Sequence, residues 1–345
     1  ISCSLVGSEM CIRDSSFTDA FATINQGIAA GDRVLRLLDT ETSVRNAPDA
    51  VQLDHFRERI EFRDVRFAYE EREVICGISF TVEKGQTVAL VGPSGGGKST
   101  ISDLIPRFYD VTAGEIRIDG RDIRQYDLHS LRERMGIVAQ DTVLFNDTIE
   151  NNIRLGNSEA TREEVMDAAR IANAEQFIAE TPYGLETNIG DRGAKLSGGQ
   201  RQRLCIARAL AIRPRILLLD EAISSLDAST QVQIMDLLIG LRRDLGLSYL
   251  FITHDLQAAT LVCDSLLVLD QGRCAEHLPV SRLGSARNPR LRRMLETVVP
   301  DVHLVATLMS LSRVIPEKNK EMARQVVRKV VEELLRKLSA PTQQA

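Results

Sequence analysis

The sequence predicts an α/β fold with a mixed sheet core and a helical insertion, and three observations predict it. An apolar run, Thr87-Val88-Ala89-Leu90-Val91, enters the glycine-rich stretch Gly92-Pro93-Ser94-Gly95-Gly96-Gly97-Lys98-Ser99-Thr100, and a helix-compatible segment through Ile105 leaves it before Pro106. Two further apolar runs, Arg215 to Glu221 and Tyr249 to His254, end in polar groups, as buried parallel strands do when they deliver side chains to a sheet edge. From Asp147 to Lys195 the pattern turns helical, which reads as an insertion into the sheet domain.

The glycine-rich stretch matches G-x-x-x-x-G-K-[ST], the P-loop, in the strand, loop, helix context that motif requires. Gly92, Gly95, Gly96 and Gly97 let the loop curl so that backbone N–H groups point at phosphate oxygens, with Pro93, Ser94 and Thr100 completing the wall. Lys98 is placed to reach the β- and γ-phosphates of a nucleoside triphosphate, and the Ser99 hydroxyl to ligate Mg²⁺.

The 345 residues carry a net charge of -5, with 26% charged and 43% hydrophobic residues and no Trp. This balance gives no electrostatic reason to expect nucleic-acid binding. The cysteines, Cys3, Cys11, Cys76, Cys205, Cys263 and Cys274, form no C-x-x-C pair, so reduced thiols are expected rather than a metal knuckle or disulfide framework. No run approaches the roughly 18 apolar residues of a membrane-spanning helix, so a spanning part would lie outside this chain.

In chain order, Ile1 to about Ser15 resembles the translation of a sequencing-library adaptor and is expected to be a read-through scar outside the fold. From Phe17, apolar residues at helical spacing (Phe21, Ile24, Ile28, Val34, Leu35, Leu38) predict a helix, followed by a linker from Thr40 to about Arg57. Ile60 to Tyr69 alternates as a half-buried strand, and Tyr69 at its end suits either adenine stacking or ordinary packing. Gly114 to Gly120 reads as another strand and turn. Gln140, ending the run Ile137 to Asp141, is either an amide-oxygen donor to Mg²⁺ or the attacking water, or an exposed loop glutamine. Arg162 to Ile178 reads as helix.

Leu196-Ser197-Gly198-Gly199-Gln200 then starts a helix, with Ser197 as N-cap and two glycines allowing close approach of an anion or merely a turn. Asp220 and Glu221 end four aliphatics; the first is a candidate Mg²⁺ holder through water, the second a candidate general base. His254 follows the next buried run and is a candidate γ-phosphate contact.

With P-loop, LSGGQ, ILLLDE and the His-bearing strand in this order, Ile60 to Gly272 resembles the ATPase domain of an ABC transporter, a P-loop NTPase. The resemblance implies ATP and Mg²⁺ as cofactors, Tyr69 as adenine stacker, Gln140 as Q-loop residue and Ser197 to Gln200 as the signature. It further implies Ser224 to Asp227 as D-loop and His254 as switch histidine. It implies a homodimer or heterodimer with a second ABC ATPase subunit, in which the Ser197 helix of one subunit closes on ATP in the other. The implied domains are 16–57 as the end of a transmembrane-domain helix plus linker, 58–296 as the nucleotide-binding domain with a helical subdomain at about 147–211, and 297–345 as an unassigned helical tail. The implied place is the cytoplasmic face of a bacterial inner membrane, with the transmembrane domains missing from this chain.

Residues 16 to about 200 resemble exporter half-transporters, with Asp191 where that family usually has Glu. Residues 203–276 are closer to importer ATPases of the nickel and oligopeptide class, and Leu304 to Ala345 resembles neither. A chimera joined near LSGGQ and near Glu296 accounts for this, as does a real transporter with a drifted C-terminus. Export of an unknown substrate leads; an importer ATPase on separate permeases and a soluble non-transport ABC ATPase are the alternatives.

Overall fold

The computed structural model describes residues 4–39 and 44–298. The expected helical tail lies outside the described residues from residue 299 onward. The chain divides into two units, 1–45 and 46–345.

The first unit is one helix, α1 (Ser4–Leu38). It starts ahead of Phe17, because no proline interrupts the backbone from Ser4 onward. Phe21, Ile24, Ile28, Val34, Leu35 and Leu38 are each more than half exposed. No helix among the described residues is long and apolar enough to cross a membrane.

The second unit holds two sheets. One is four-stranded and antiparallel, in the order β2 (Arg72–Glu83), β1 (Arg59–Tyr69), β4 (Ala113–Ile118), β5 (Arg121–Asp122). In β1 the predicted alternation slips by one residue: Arg63 and Asp64 both face out, the register to β2 shifts between Phe62 and Val65, and Asp64 has φ +44°. That is a β-bulge, and it restores Val65 and Phe67 to the core face. The Phe62 and Phe80 rings stack across the pair at 4.2 Å.

The other sheet runs β10 (Arg273–Pro279), β9 (Ser265–Asp270), β3 (Thr87–Val91), β8 (Ser248–Ile252), β7 (Ile216–Asp220), β6 (Met135–Val138). All neighbours are parallel except the β10 edge. The three central strands are buried along their length because apolar residues on alternate faces feed two cores. Ala89, Leu217, Leu219, Tyr249 and Phe251 enter one core, and Leu90, Leu218, Leu250, Ile252 and Leu267 the other. Truncating one such side chain, Leu219→Ala, is expected to cost about 2–5 kcal/mol in chemical denaturation.

Helices α2 (Lys98–Leu104) and α3 (Leu128–Glu133) follow β3 and β5. The insertion comprises α4 (Ile149–Arg154), α5 (Arg162–Ile171), α6 (Glu175–Glu180) and α7 (Gly198–Leu210). The expected single helix from Arg162 to Ile178 is broken between α5 and α6. Asn173 there takes φ +53°, a conformation Asn tolerates better than most residues. After β7 come α8 (Ala228–Leu245) and α9 (Leu256–Val262), and α10 (Pro289–Val298) closes the described chain.

Asp227 caps α8, accepting from the Ser229 hydroxyl and from both the backbone and the hydroxyl of Thr230, and these bonds hold its carboxyl down at about 2. A carboxyl whose folded value lies below its unfolded value stabilises above the unfolded value and loses that contribution as pH falls. Asp227→Asn is therefore expected to be less stable than the parent at neutral pH, with the gap closing between about pH 4 and pH 2 in thermal melts. A gap that persists unchanged at pH 2 would contradict this assignment.

Candidate active site

The site forms where β3, β8 and β7 end side by side. Leu90 and Asp220 both lie level with Ile252 of β8, so the loop after β3, the acid ending β7 and the residues after β8 leave the sheet at one height. They span two strand spacings, about 10 Å. Thr253 N–H donates to the Leu90 carbonyl at 3.2 Å and Glu221 N–H to the Ile252 carbonyl at 2.9 Å, which extends the ladder past the last paired residues.

The loop after β3 depends on specific glycines. Gly92 has φ +145°, and a Cβ there would overlap the Leu269 carbonyl of β9. Gly97 has φ +94°, and a Cβ there would sit 2.5 Å from Ile75 Cδ1 of β2. The loop is thus wedged between β9 and β2, contacts between residues far apart in sequence. Gly95 also has positive φ but faces open space. Gly95→Ala is expected to cost about 1–2 kcal/mol from its left-handed backbone alone. Gly92→Ala should cost more, since backbone must move as well; equal losses in urea denaturation would contradict this view of the loop.

α2 opens at Gly97 with no side-chain cap, so the N–H groups of its first turn stay available to phosphate oxygens. Pro93 is half-buried, Ser94 and Gly95 form the exposed tip, and Gly96, Thr100 and Lys98 are buried. Lys98 Nζ donates to the carbonyls of Gly92 at 3.0 Å and Pro93 at 2.9 Å. Burial lowers its pKa, opposed by the charges of Glu221 and Asp220.

Asp220 is pushed up by burial, pulled back by a hydrogen bond with Ser99, pushed up by Glu221 and pulled down by Lys98. Its Oδ1 is buried with no partner among the described residues. Glu221 takes φ +45°, which turns its side chain out of the strand's alternation, and its Oε2 lies 3.4 Å from His254 Nδ1. The Ser224 hydroxyl and N–H both donate to the Glu221 carbonyl, fixing the turn. Ser99, Lys98, Asp220, Glu221 and His254 are thereby brought together.

An orphaned buried carboxylate oxygen beside a hydroxyl is a hard-oxygen donor set with capacity to spare, and it fits Mg²⁺. Asp103, one helical turn beyond Ser99, is also raised, by burial and then by Asp220. Its i, i+4 spacing from Ser99 was the available sequence signal.

The other predicted residues stand further out. Gln140 is exposed, two residues past β6, the strand flanking β7 on the side away from β8. Tyr69 is 38% exposed and meets Phe67 and Tyr109 edge-on at 4.8 and 5.2 Å, so it belongs to an aromatic cluster. Tyr109 escaped the sequence reading because nothing local marks it as a neighbour of β1.

Ser197 caps α7 in a full capping box: its hydroxyl accepts from Gln200 N–H at 3.2 Å, and its N–H donates to Gln200 Oε1 at 2.9 Å. Gly198 and Gly199 back onto Leu226 and Thr230, where a Cβ at Gly199 would sit 2.7 Å from Thr230 Cγ2. The Ser197–Gln200 segment and the Ser224–Asp227 turn therefore form one packed corner.

A phosphate loop wedged between two strands, facing an acid-tipped strand in a mixed sheet with a helical insertion, defines a P-loop NTPase of the ABC type. The ABC transporter family model matches residues 75–224. Residues 75–224 thus carry an ABC-type ATP-binding domain, and the proteins this region resembles include a putative multidrug export ATP-binding/permease protein of Bacillus subtilis (strain 168), 44% identical over 74% of this chain and 44% of its own length.

An ATP-dependent lipid A-core flippase of Syntrophus aciditrophicus (strain SB) is 46% identical over 75% of this chain and 43% of its own length. Another, of Desulfotalea psychrophila (strain LSv54 / DSM 12343), is 47% identical over 65% of this chain and 39% of its own. The solved structure of a bacterial Atm1-family ABC exporter with ATP bound superposes with a TM-score of 0.72 at 42% identity, covering 81% of this chain and 49% of that one. The chain thus spans less than half the length of these relatives.

Proposed function

We propose that this chain binds and hydrolyses ATP as the motor part of an ABC exporter, with ATP-driven closure of two ATPase domains powering the transport of a substrate. The observation that carries the reading is the meeting of Lys98, Ser99, Asp220, Glu221 and His254 at one sheet edge, although they lie up to 156 positions apart in the sequence.

In this reading, Lys98 exchanges its two loop carbonyls for phosphate oxygens, and the uncapped start of α2 receives the phosphates. Ser99, Gln140 and, through water, Asp220 would hold Mg²⁺, which would supply charge neutralisation to the bound triphosphate. Glu221 Oε2 accepts the proton of the attacking water as general base. His254, beside that carboxylate, contacts the γ-phosphate. Tyr69 lies on adenine at the end of β1. The capped Ser197–Gln200 turn closes on ATP held by a second ATPase subunit across a two-fold axis.

The membrane-spanning partner, the cytoplasmic face of a bacterial inner membrane and the homodimeric or heterodimeric state belong to the same proposal. The exporter reading is favoured over an importer ATPase because the 46% identity to an exporter runs over 259 residues, longer than the 16–200 stretch whose wording is exporter-like. ATP turnover by purified protein in the presence and absence of Mg²⁺ tests the reading; turnover indifferent to Mg²⁺ would contradict it.

A further inference from the structure

Gln140 lies in a segment that is pinned at both ends by consecutive residues of α7. Ahead of it, Gly136 of β6 lies so close to α7 that an added Cβ would sit 2.7 Å from the Ala209 carbonyl oxygen. Behind it, Arg208 Nη1 donates to the Val143 carbonyl at 2.7 Å. The same guanidinium donates through Nε to the Asn152 carbonyl at 2.8 Å and through Nη2 to Asn152 Oδ1 at 3.2 Å.

Asn152 is 1% exposed and fully used. Its Oδ1 also accepts from Phe145 N–H at 2.9 Å, and its Nδ2 donates to the carbonyls of Phe145 at 3.0 Å and Thr148 at 2.9 Å. Gly156, just beyond α4, abuts the Arg208 carbonyl, which a Cβ at that position would overlap. Arg208 therefore grips the loop after Gln140 and Asn152 of α4 through its planar fork, while its backbone carbonyl packs against Gly156 just beyond α4. The oxygens it meets here are all neutral, and burial lowers its pKa.

This device has a mechanical reading. Helix α7 begins at the Ser197–Gln200 turn and carries Arg208 and Ala209 in its last turn, which ends at Leu210. Residues 136–143 cannot shift against α7 without breaking the Val143 bond or opening the Gly136 contact. We propose that Arg208, with Asn152, is a positioning residue for Gln140, tying the Gln140 loop to the helix that carries the Ser-Gly-Gly-Gln turn. The inference rests on the ATPase reading and on Gln140 acting at the site. Arg208 itself touches no reacting atom; its effect passes through the Val143 carbonyl and Asn152.

The test is a double-mutant cycle on the full chain. Arg208→Lys keeps the charge and loses the fork; it is expected to lower kcat about 10-fold, the scale of a small misplacement, with KM for Mg·ATP within about twofold. Combined with Gln140→Ala, it should add nothing to the loss that Gln140→Ala shows alone. Asn152→Ser carries the same cycle if Arg208→Lys does not fold. Hydrogen exchange at the Phe145 amide, bonded to Asn152, should accelerate at least about 10-fold in either variant, while β3 amides stay protected.

Losses in kcat that multiply in the double variant would overturn the proposal, as would unchanged Phe145 exchange or global unfolding of both variants. Wild-type protein without Mg-dependent turnover would instead remove the ATPase reading, and Phe145 exchange would then decide the Arg208 latch by itself.

Discussion

Glu221→Gln is expected to slow ATP turnover by roughly 10²–10³-fold while leaving Mg·ATP affinity within a few-fold of the parent, since general-base catalysis supplies effects of that size. The reason lies in the backbone. Glu221 N–H donates to the Ile252 carbonyl and the Glu221 carbonyl receives both Ser224 donors, so the left-handed turn that aims the side chain does not depend on its charge. An amide of the same shape keeps that aim and cannot take the proton. The loss should therefore fall on kcat and spare binding. The variant should also accumulate as an ATP-bound dimer on sizing columns. Turnover near the parent's would remove Glu221 from the role of base.

Lys98→Met should weaken Mg·ATP binding about 10–100-fold, the worth of one or two hydrogen bonds from a charged group, and abolish measurable turnover. Lys98 is 6% exposed and is the cation that offsets Asp220 and Glu221. Without it, two partly buried carboxylates face incoming phosphates with the Lys98 charge that offsets them gone, so repulsion is added to the lost bonds. Met matches the length and apolar stem but leaves the Gly92 and Pro93 carbonyls without their donor, so a stability loss of about 1–3 kcal/mol in denaturation is also expected. Calorimetric titration with Mg·ATP checks the affinity, and unchanged affinity would show that Lys98 serves only to brace its own loop.

Much of this site was legible in the sequence for a physical reason. Strands buried on both faces must be apolar throughout, so β3, β7 and β8 stand out as uninterrupted runs and the residues ending them are easily found. Their convergence was not readable from any one run; it comes from the order β3-β8-β7, which places His254's strand between the other two. What stayed hidden depends on distant contacts. The Leu269 carbonyl behind Gly92, the Tyr109 ring against Tyr69, and Thr230 under Gly199 join segments between 31 and 177 residues apart. Strand β2 was not singled out because its alternation is broken by register shifts against β1. The gap between α5 and α6 hinges on one left-handed Asn that helical periodicity passes over. The capping box at Ser197 was half visible: the N-cap could be read, whereas the reciprocal bond from Gln200 needed coordinates.

The idea that Lys98, Asp220 and Glu221 serve one bound triphosphate is tested most directly by phosphate release from the purified chain, measured against Mg·ATP concentration for the parent and for Lys98→Met side by side. The account predicts saturable, Mg²⁺-dependent release in the parent, suppressed by chelation, and none above background in the variant. Release that survives chelation, or that is equal in the two proteins, would contradict it.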